Sequence, residues 1–269
     1  MAGVSVRAVT LDFLAALRSQ SARFADVLRD ADPGARVPTC PAWTAADLVW
    51  HLAEVQLFWA TIVGDRLDDS DPADAAKPPR PADFAGLLSL FDDASAALID
   101  TLQNTADDIR VWTWSDDQSV GFVRRRMAHE ALVHRLDAEL TVGAVTDLDP
   151  DLATDGVHEV LQHIYGGYPA WADYQANGPV GRLRTTDTGA EWTVVVGGFS
   201  GVSPNTGKTY ANEPLLNLID TGEPAFTISG PARDLDAWVW NRPQLSAVAV
   251  DGSDADYQAF AAIIAKGVQ

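Results

Sequence analysis

A short stretch with two histidines and a glutamate is the first place in this sequence to look for a metal site. Residues 127–140, MAHEALVHRLDAEL, contain His129, Glu130 and His134. In the His-Glu-x-x-His motif of zinc proteases, two histidines four residues apart share one helix face. Here the spacing is one residue longer, so the stretch indicates either a different kind of metal site or none.

Helix geometry separates the two histidines. An α-helix turns about 100° per residue, which places His134 about 40° and Asp137 about 20° from Glu130, while His129 lies about 100° away. Glu130, His134 and Asp137 therefore share a face with two apolar residues, and His129 is not expected to be a ligand. The opposite side is predicted to face solvent and carries Arg124, Arg125, Arg135 and Glu139.

A third histidine points the same way from an earlier helix. His51 shares its face with apolar residues, namely Leu48, Val55, Phe58 and Ile62. Two histidines and a glutamate would thus face one helical interior, where an unpaired carboxylate costs several kcal/mol. A divalent cation between them would remove that cost. Two nitrogen ligands and one oxygen ligand, with a fourth position open, are typical of a catalytic zinc site.

The residues also permit interpretations without a metal. Glu130 and His134 could be an ordinary helical pair, with His51 satisfied by Asp47 one turn earlier. Cys40 is either a reactive thiol near a helix N-terminus or a packed loop residue. The remaining histidines lie about 140° apart on a helix, which excludes a common site there. We expect both to be structural or surface residues, His158 and His163.

The first half of the chain is predicted to be helical. The pattern favours helices at about residues 5–31, 45–64, 83–105 and 118–142. Thr44 is a suitable N-cap with Asp47 three residues on, and Gly143 is a common helix stop. A loop rich in Asp and Pro, residues 65–84, separates the second helix from the third. Four such helices indicate a four-helix bundle.

The second half is predicted to be a smaller α+β domain, so the fold class of the chain is α+β. A helical stretch over residues 151–174 is followed by strand-like segments at 181–187, 191–198, 214–220 and 225–230. A further strand-like segment at 245–252 lies between two helical ones, 231–242 and 254–266. We therefore predict two domains, residues 1–148 and 149–269.

Composition excludes several classes of partner. With 38 acidic and 19 basic residues the formal net charge is -19, which repels nucleic acid. No apolar run is long enough to span a bilayer, and the N-terminus is typical of an amphipathic helix rather than a secretory signal. A single cysteine fits a reducing compartment. We expect a soluble, cytoplasmic protein.

Three blocks of the sequence resemble one known family. VPTCPAWTAADLVWHLAEV, RRRMAHEALVHRLDAEL and ISGPARDLDAWVWNRPQLSAVAVDG are similar to segments of the mycothiol-dependent maleylpyruvate isomerases. The resemblance implies a DinB-like four-helix bundle that binds zinc, followed by an α+β domain. The ligands it implies are His51, Glu130 and His134, the same three residues that helix geometry selects. Related DinB proteins with three histidine ligands differ at the position of Glu130.

The resemblance also implies an activity. Mycothiol, a low-molecular-weight thiol of actinobacteria, would be the cosubstrate, and its thiolate would isomerise maleylpyruvate to fumarylpyruvate by addition, bond rotation and elimination. The alternatives are a mycothiol S-transferase that conjugates electrophiles, or a non-catalytic metal-containing protein that binds a small molecule. No catalytic residue beyond the metal centre is predicted. Asp137 is expected either to orient a ligand histidine or to form an ordinary helical salt bridge. Three arginines are candidates for binding an anionic substrate, with a surface or structural role as the alternative for each: Arg126, Arg233 and Arg242.

Overall fold

The computed structural model of the protein describes residues 10–204, 206–242, 245 and 247–266. Its contacts divide the chain into two compact units, one from Asp12 to Thr146 and one from Asp147 onward that also includes Thr10 and Leu11. The boundary predicted between residues 148 and 149 stays a prediction. In the ranges that the structure describes, no helix combines the length and the apolar character needed to cross a membrane.

Four long helices form the N-terminal unit, as predicted. They are α1 (Phe13–Leu28), α2 (Ala45–Gly64), α4 (Phe84–Gln103) and α5 (Val120–Val142). Helix α1 packs against α5 and α4, and α2 packs against α4 and α5, which closes a four-helix bundle. A short helix, α3 (Asp71–Ala75), lies within the predicted loop and has proline in its first turn. Residues 5–9 of the first predicted helix lie outside the described residues.

The ends of the helices follow local sequence signals. Thr44 and Asp47 form a complete capping box at the start of α2, where each side chain binds the other residue's backbone N–H. Gly143 ends α5 in the left-handed conformation, with φ of 70°. These signals fix the start of α2 and the end of α5, the two helices that carry the candidate ligands.

The prediction that one side of α5 faces solvent is wrong in part. Arg135 and Glu139 are 3% and 0% exposed. Helix α1 packs against this side, where Arg23 and Gln20 contact the two residues. Charged side chains can be buried when they pair, and Glu139 lies 2.8 Å from Arg135. Helix α5 is therefore enclosed on opposite sides, with a charge pair on one and the candidate ligands on the other.

The C-terminal unit is built on one mixed sheet. Its strands are β1 (Asp173–Gln175), β2 (Val180–Thr185), β3 (Glu191–Val202), β4 (Thr209–Ile219), β5 (Phe226–Gly230) and β6 (Ala249–Gly252). Strand β3 pairs antiparallel with β4, with β2 through its first residues and with β1 near its end. Strands β2 and β5 are parallel, and β6 pairs antiparallel with β5. The α+β class is confirmed.

Among the described residues, three helices accompany this sheet. They are α6 (Pro150–Glu159), α7 (Ala232–Val239) and α8 (Asp254–Ile264), and α6 continues into a π-helical turn at Val160–Ile164. Helix α6 packs against α7. The helix predicted over residues 151–174 is too long, because helical structure ends after the π-helical turn and the chain continues into β1.

Candidate metal centre

The bundle brings the three predicted ligands together. His51 on α2 and Glu130 and His134 on α5 each offer one ligand atom, and these atoms all lie within 4.8 Å of one another. The side chains of His51 and Glu130 are 19% and 18% exposed, whereas that of His134 is 6% exposed. The group is thus largely shielded but still partly accessible to solvent.

The donor set fits a divalent cation of the zinc type. Two imidazole nitrogens and one carboxylate oxygen are ligands that zinc commonly takes, and they come from two helices that pack together. Among the described residues, the buried Nε2 of His51 has no hydrogen-bond partner. It lies 3.5 Å from Oε1 of Glu130, which is too long for a good hydrogen bond. A cation between these atoms would satisfy both.

The electrostatics of the site favour positive charge at its centre. Burial acts to raise the pKa of Glu130, but contacts with His134 and His51 and the charge of Arg126 outweigh burial, so this pKa lies well below its ordinary value. Burial likewise acts to lower the pKa of His134, yet Asp137 and Glu130 raise it to about 9. Two carboxylates therefore flank one imidazole, an arrangement that stabilises either a proton or a metal cation.

The second nitrogen of His134 is held by Asp137. Its Nδ1 lies 2.9 Å from Oδ2 of Asp137, and its Nε2 lies 3.2 Å from Oε1 of Glu130. Asp137 is fully buried, and its other oxygen accepts a hydrogen bond from the hydroxyl of Thr39 at 2.5 Å. A carboxylate behind the second ring nitrogen is the usual support of a metal-binding histidine.

An aromatic ring covers both histidines. The ring of Trp43 lies 4.7 Å from that of His51 and 6.2 Å from that of His134, measured between centroids. Trp43 and Thr39 belong to the loop before α2, whose sequence VPTCPAW carries the family resemblance. Only the cysteine of that loop is singled out by residue type, so sequence reasoning missed both of these contacts.

The other candidates fall outside this cluster. His129 is buried and packs edge-on against Phe13, with ring centroids 5.9 Å apart. Cys40 is 3% exposed and belongs to the hydrophobic core, in agreement with the packed-loop interpretation. Asp47 binds Thr44 and Arg80, so the alternative in which it satisfies His51 is wrong. His158 and His163 are half-buried in the C-terminal unit.

The three candidate arginines have different surroundings. Arg126 is 3% exposed and lies 3.1 Å from Oε2 of Glu130. Arg233 is part-exposed and binds Asp147 at 2.5 Å, and Arg242 is buried and donates to the backbone oxygen of Trp240. A substrate role for each of them stays a prediction.

Comparison with known proteins gives a separate family match for each of the two units. The N-terminal domain of mycothiol maleylpyruvate isomerase matches residues 14–139, and the family's C-terminal domain matches residues 151–259. Comparison with curated protein sequences gave no match. Crystal structures of a mycothiol-dependent maleylpyruvate isomerase and of its histidine-to-alanine mutant are 15% and 13% identical to the chain, each with a TM-score of 0.54. Both likenesses cover 88% of this chain and 92% of the other. The chain therefore belongs to the mycothiol-dependent maleylpyruvate isomerase family.

Proposed function

We propose that this protein is a zinc-dependent enzyme that uses mycothiol as its thiol cosubstrate. The reaction is the cis-trans isomerisation of maleylpyruvate or a related thiol transfer. The observation that carries the proposal is the convergence of His51, Glu130 and His134, whose ligand atoms lie within 4.8 Å of one another. Family membership supports the choice of thiol, and the single cysteine of the sequence supports a cytoplasmic location.

The three ligands give the site its chemistry. A divalent cation bound by them would supply positive charge next to a thiol sulfur and so favour its ionised form. The Nδ1 proton of His134 faces Asp137, which leaves Nε2 of this imidazole as the metal-binding atom. Arg126 pairs with Oε2 of Glu130, and the ring of Trp43 packs against both histidines.

The thiol chemistry balances without an oxidant or reductant. The sulfur of the mycothiol thiolate forms a bond to one carbon of the cis double bond, and the π-electron pair moves onto the conjugated carbonyl oxygen, so the former double bond becomes single and rotates. Return of that electron pair expels the same thiolate and restores the double bond in the trans form. The thiol is regenerated, so the net reaction is an isomerisation.

The metal is tested first. Purified protein is expected to contain one zinc ion per chain, and His51→Ala and Glu130→Gln are expected to lose it. His163→Ala removes a half-buried histidine of the C-terminal unit and serves as the matched control, with unchanged zinc. Retention of zinc in His51→Ala would sink the ligand assignment.

The reaction is tested separately. The protein is assayed with mycothiol and maleylpyruvate, and then with mycothiol and a panel of electrophiles while thiol consumption is followed. Isomerisation of maleylpyruvate without net loss of thiol supports the isomerase reaction. Loss of thiol only with the electrophiles supports the related thiol transfer of an S-transferase, and no turnover with either contradicts the proposal in favour of a non-catalytic binding protein.

A further inference from the structure

We propose that Thr39 is a positioning residue of the metal centre, and that it acts on His134 through Asp137. The inference rests on the metal site of the proposed function. The Thr39 hydroxyl donates to Oδ1 of Asp137 at 2.5 Å, and Oδ2 of Asp137 lies 2.9 Å from Nδ1 of His134. The three residues form a continuous chain of hydrogen bonds that ends on a ligand.

Hydrogen bonds to both oxygens fix the orientation of a carboxylate that positions an imidazole ring. The terminal torsion of an aspartate side chain has a broad energy profile, so hydrogen bonds rather than rotamer preference decide its angle. Asp137 is fully buried and presents Oδ2 to the imidazole. A bond to Oδ1 opposes rotation of the carboxylate and so keeps Oδ2 on the Nδ1 proton. Metal sites tolerate displacements of only about 0.5 Å or 10 to 20° in their ligands.

Thr39 is itself anchored. Its loop is closed by backbone hydrogen bonds, from the N–H of Val37 to the oxygen of Trp43 at 3.1 Å and from the N–H of Trp43 to the oxygen of Cys40 at 2.8 Å. The loop then enters the capping box at the start of α2. The Thr39 hydroxyl therefore links Asp137 of α5 to the segment that leads into the helix of His51.

The same loop touches the site a second time through Trp43. The indole ring packs on His51 and His134, whose own rings are 4.8 Å apart. One short segment thus sets the Asp137 carboxylate behind His134 and the ring over both histidines. Loss of the Thr39 hydroxyl is expected to affect the metal ligand rather than only the loop.

Zinc binding to the apoprotein distinguishes a positioning role from a structural one. The zinc dissociation constant is measured by competition with a chromogenic chelator at neutral pH. Thr39→Val keeps the shape of the side chain and removes its hydroxyl. We expect zinc binding to weaken about tenfold, the lower end of the range for residues that support metal ligands. Thr39→Ser restores the hydroxyl and is expected to bind zinc as the unmodified protein does.

A matched control lies next to the same aspartate. The hydroxyl of Thr141 donates to the backbone oxygen of Asp137 at 2.8 Å, not to its carboxylate. Thr141→Val is therefore expected to leave zinc binding unchanged. In an Asp137→Asn background, Thr39→Val is expected to add no further loss, since both residues act through one pathway. Urea unfolding of each apoprotein reports whether the variant is folded.

The outcomes separate this inference from the proposed function. Wild-type zinc affinity in folded Thr39→Val overturns the inference, and so does an equal loss in Thr39→Ser or Thr141→Val. If His51→Ala keeps its zinc, the metal site itself fails. If Thr39→Val does not fold, Thr39→Ala takes its place. It removes the same hydroxyl and adds no γ-methyl group, and its zinc affinity decides between the outcomes.

Discussion

The buried ion pair of α5 offers a quantitative test of the bundle. Glu139 is fully buried, its Oε2 lies 2.8 Å from Nη1 of Arg135, and the Arg135 side chain is 4% exposed. Glu139→Gln keeps the side-chain size but removes the negative charge while the guanidinium stays buried. Breaking a buried pair from one side costs about 3 to 5 kcal/mol. Since glutamine keeps one acceptor oxygen, we expect the lower end, a loss of about 3 kcal/mol.

A neighbouring pair supplies the matched control. Arg23 donates to Oε1 of the same glutamate at 2.7 Å, but its side chain is 38% exposed. Solvent screens such a contact, so Arg23→Gln is expected to cost at most about 1 kcal/mol. Both variants remove one charge from the same cluster. The difference between their losses of unfolding free energy therefore tests whether burial decides the cost.

The assay is equilibrium unfolding in urea, followed by circular dichroism at neutral pH. Chelator is present throughout, because a bound metal would add its own stabilisation. In the Glu139→Gln background, Arg135→Met removes the buried charge and is expected to recover part of the lost stability. A loss below about 1 kcal/mol in Glu139→Gln, or one equal to that in Arg23→Gln, would refute the reasoning.

Three further measurements test other features. Burial acts to raise the pKa of Glu139, but Arg23, Thr146 and Arg135 hold it below the ordinary 4.5. The carboxylate therefore stabilises the fold at pH above 4.5. The difference in unfolding free energy between the unmodified protein and Glu139→Gln should shrink as pH falls below that value, and a difference independent of pH would contradict this. Gly143→Ala forces φ of 70° on a residue with a Cβ and should cost about 1 kcal/mol in urea unfolding, with Gly143→Asn nearer neutral. Zinc at about 100 times its dissociation constant should add about 2.7 kcal/mol to the unfolding free energy, and His51→Ala should abolish that gain.

The ligand assignment shows how far local geometry reaches. Glu130 and His134 are four residues apart on one helix, and any helix places such a pair on one face. Their 3.2 Å contact is one that this spacing allows. The inward direction of His51 likewise follows from the apolar residues that share its face. The capping box at Thr44 and the stop at Gly143 are also local, and both confirm the sequence signals.

The environment of α5 could not be predicted in the same way. Arg135 and Glu139 carry charge, and residue type alone places them in solvent. Their burial depends on α1, which packs over them and supplies Arg23 and Gln20 from more than one hundred residues away. The strand β1 was missed for a similar reason: its three residues have no pattern of their own and are strands only through pairing with β3.

The sequence by itself determined the helices of the bundle, the start of α2 and the end of α5, the α+β character of the second unit and the three side chains that face one interior. These features depend on periodicity and on contacts within a few residues. The tertiary structure decided what surrounds those side chains. Thr39 and Trp43 reach the site only because the loop before α2 folds against α5. Such contacts join residues about one hundred positions apart, and no local pattern encodes them.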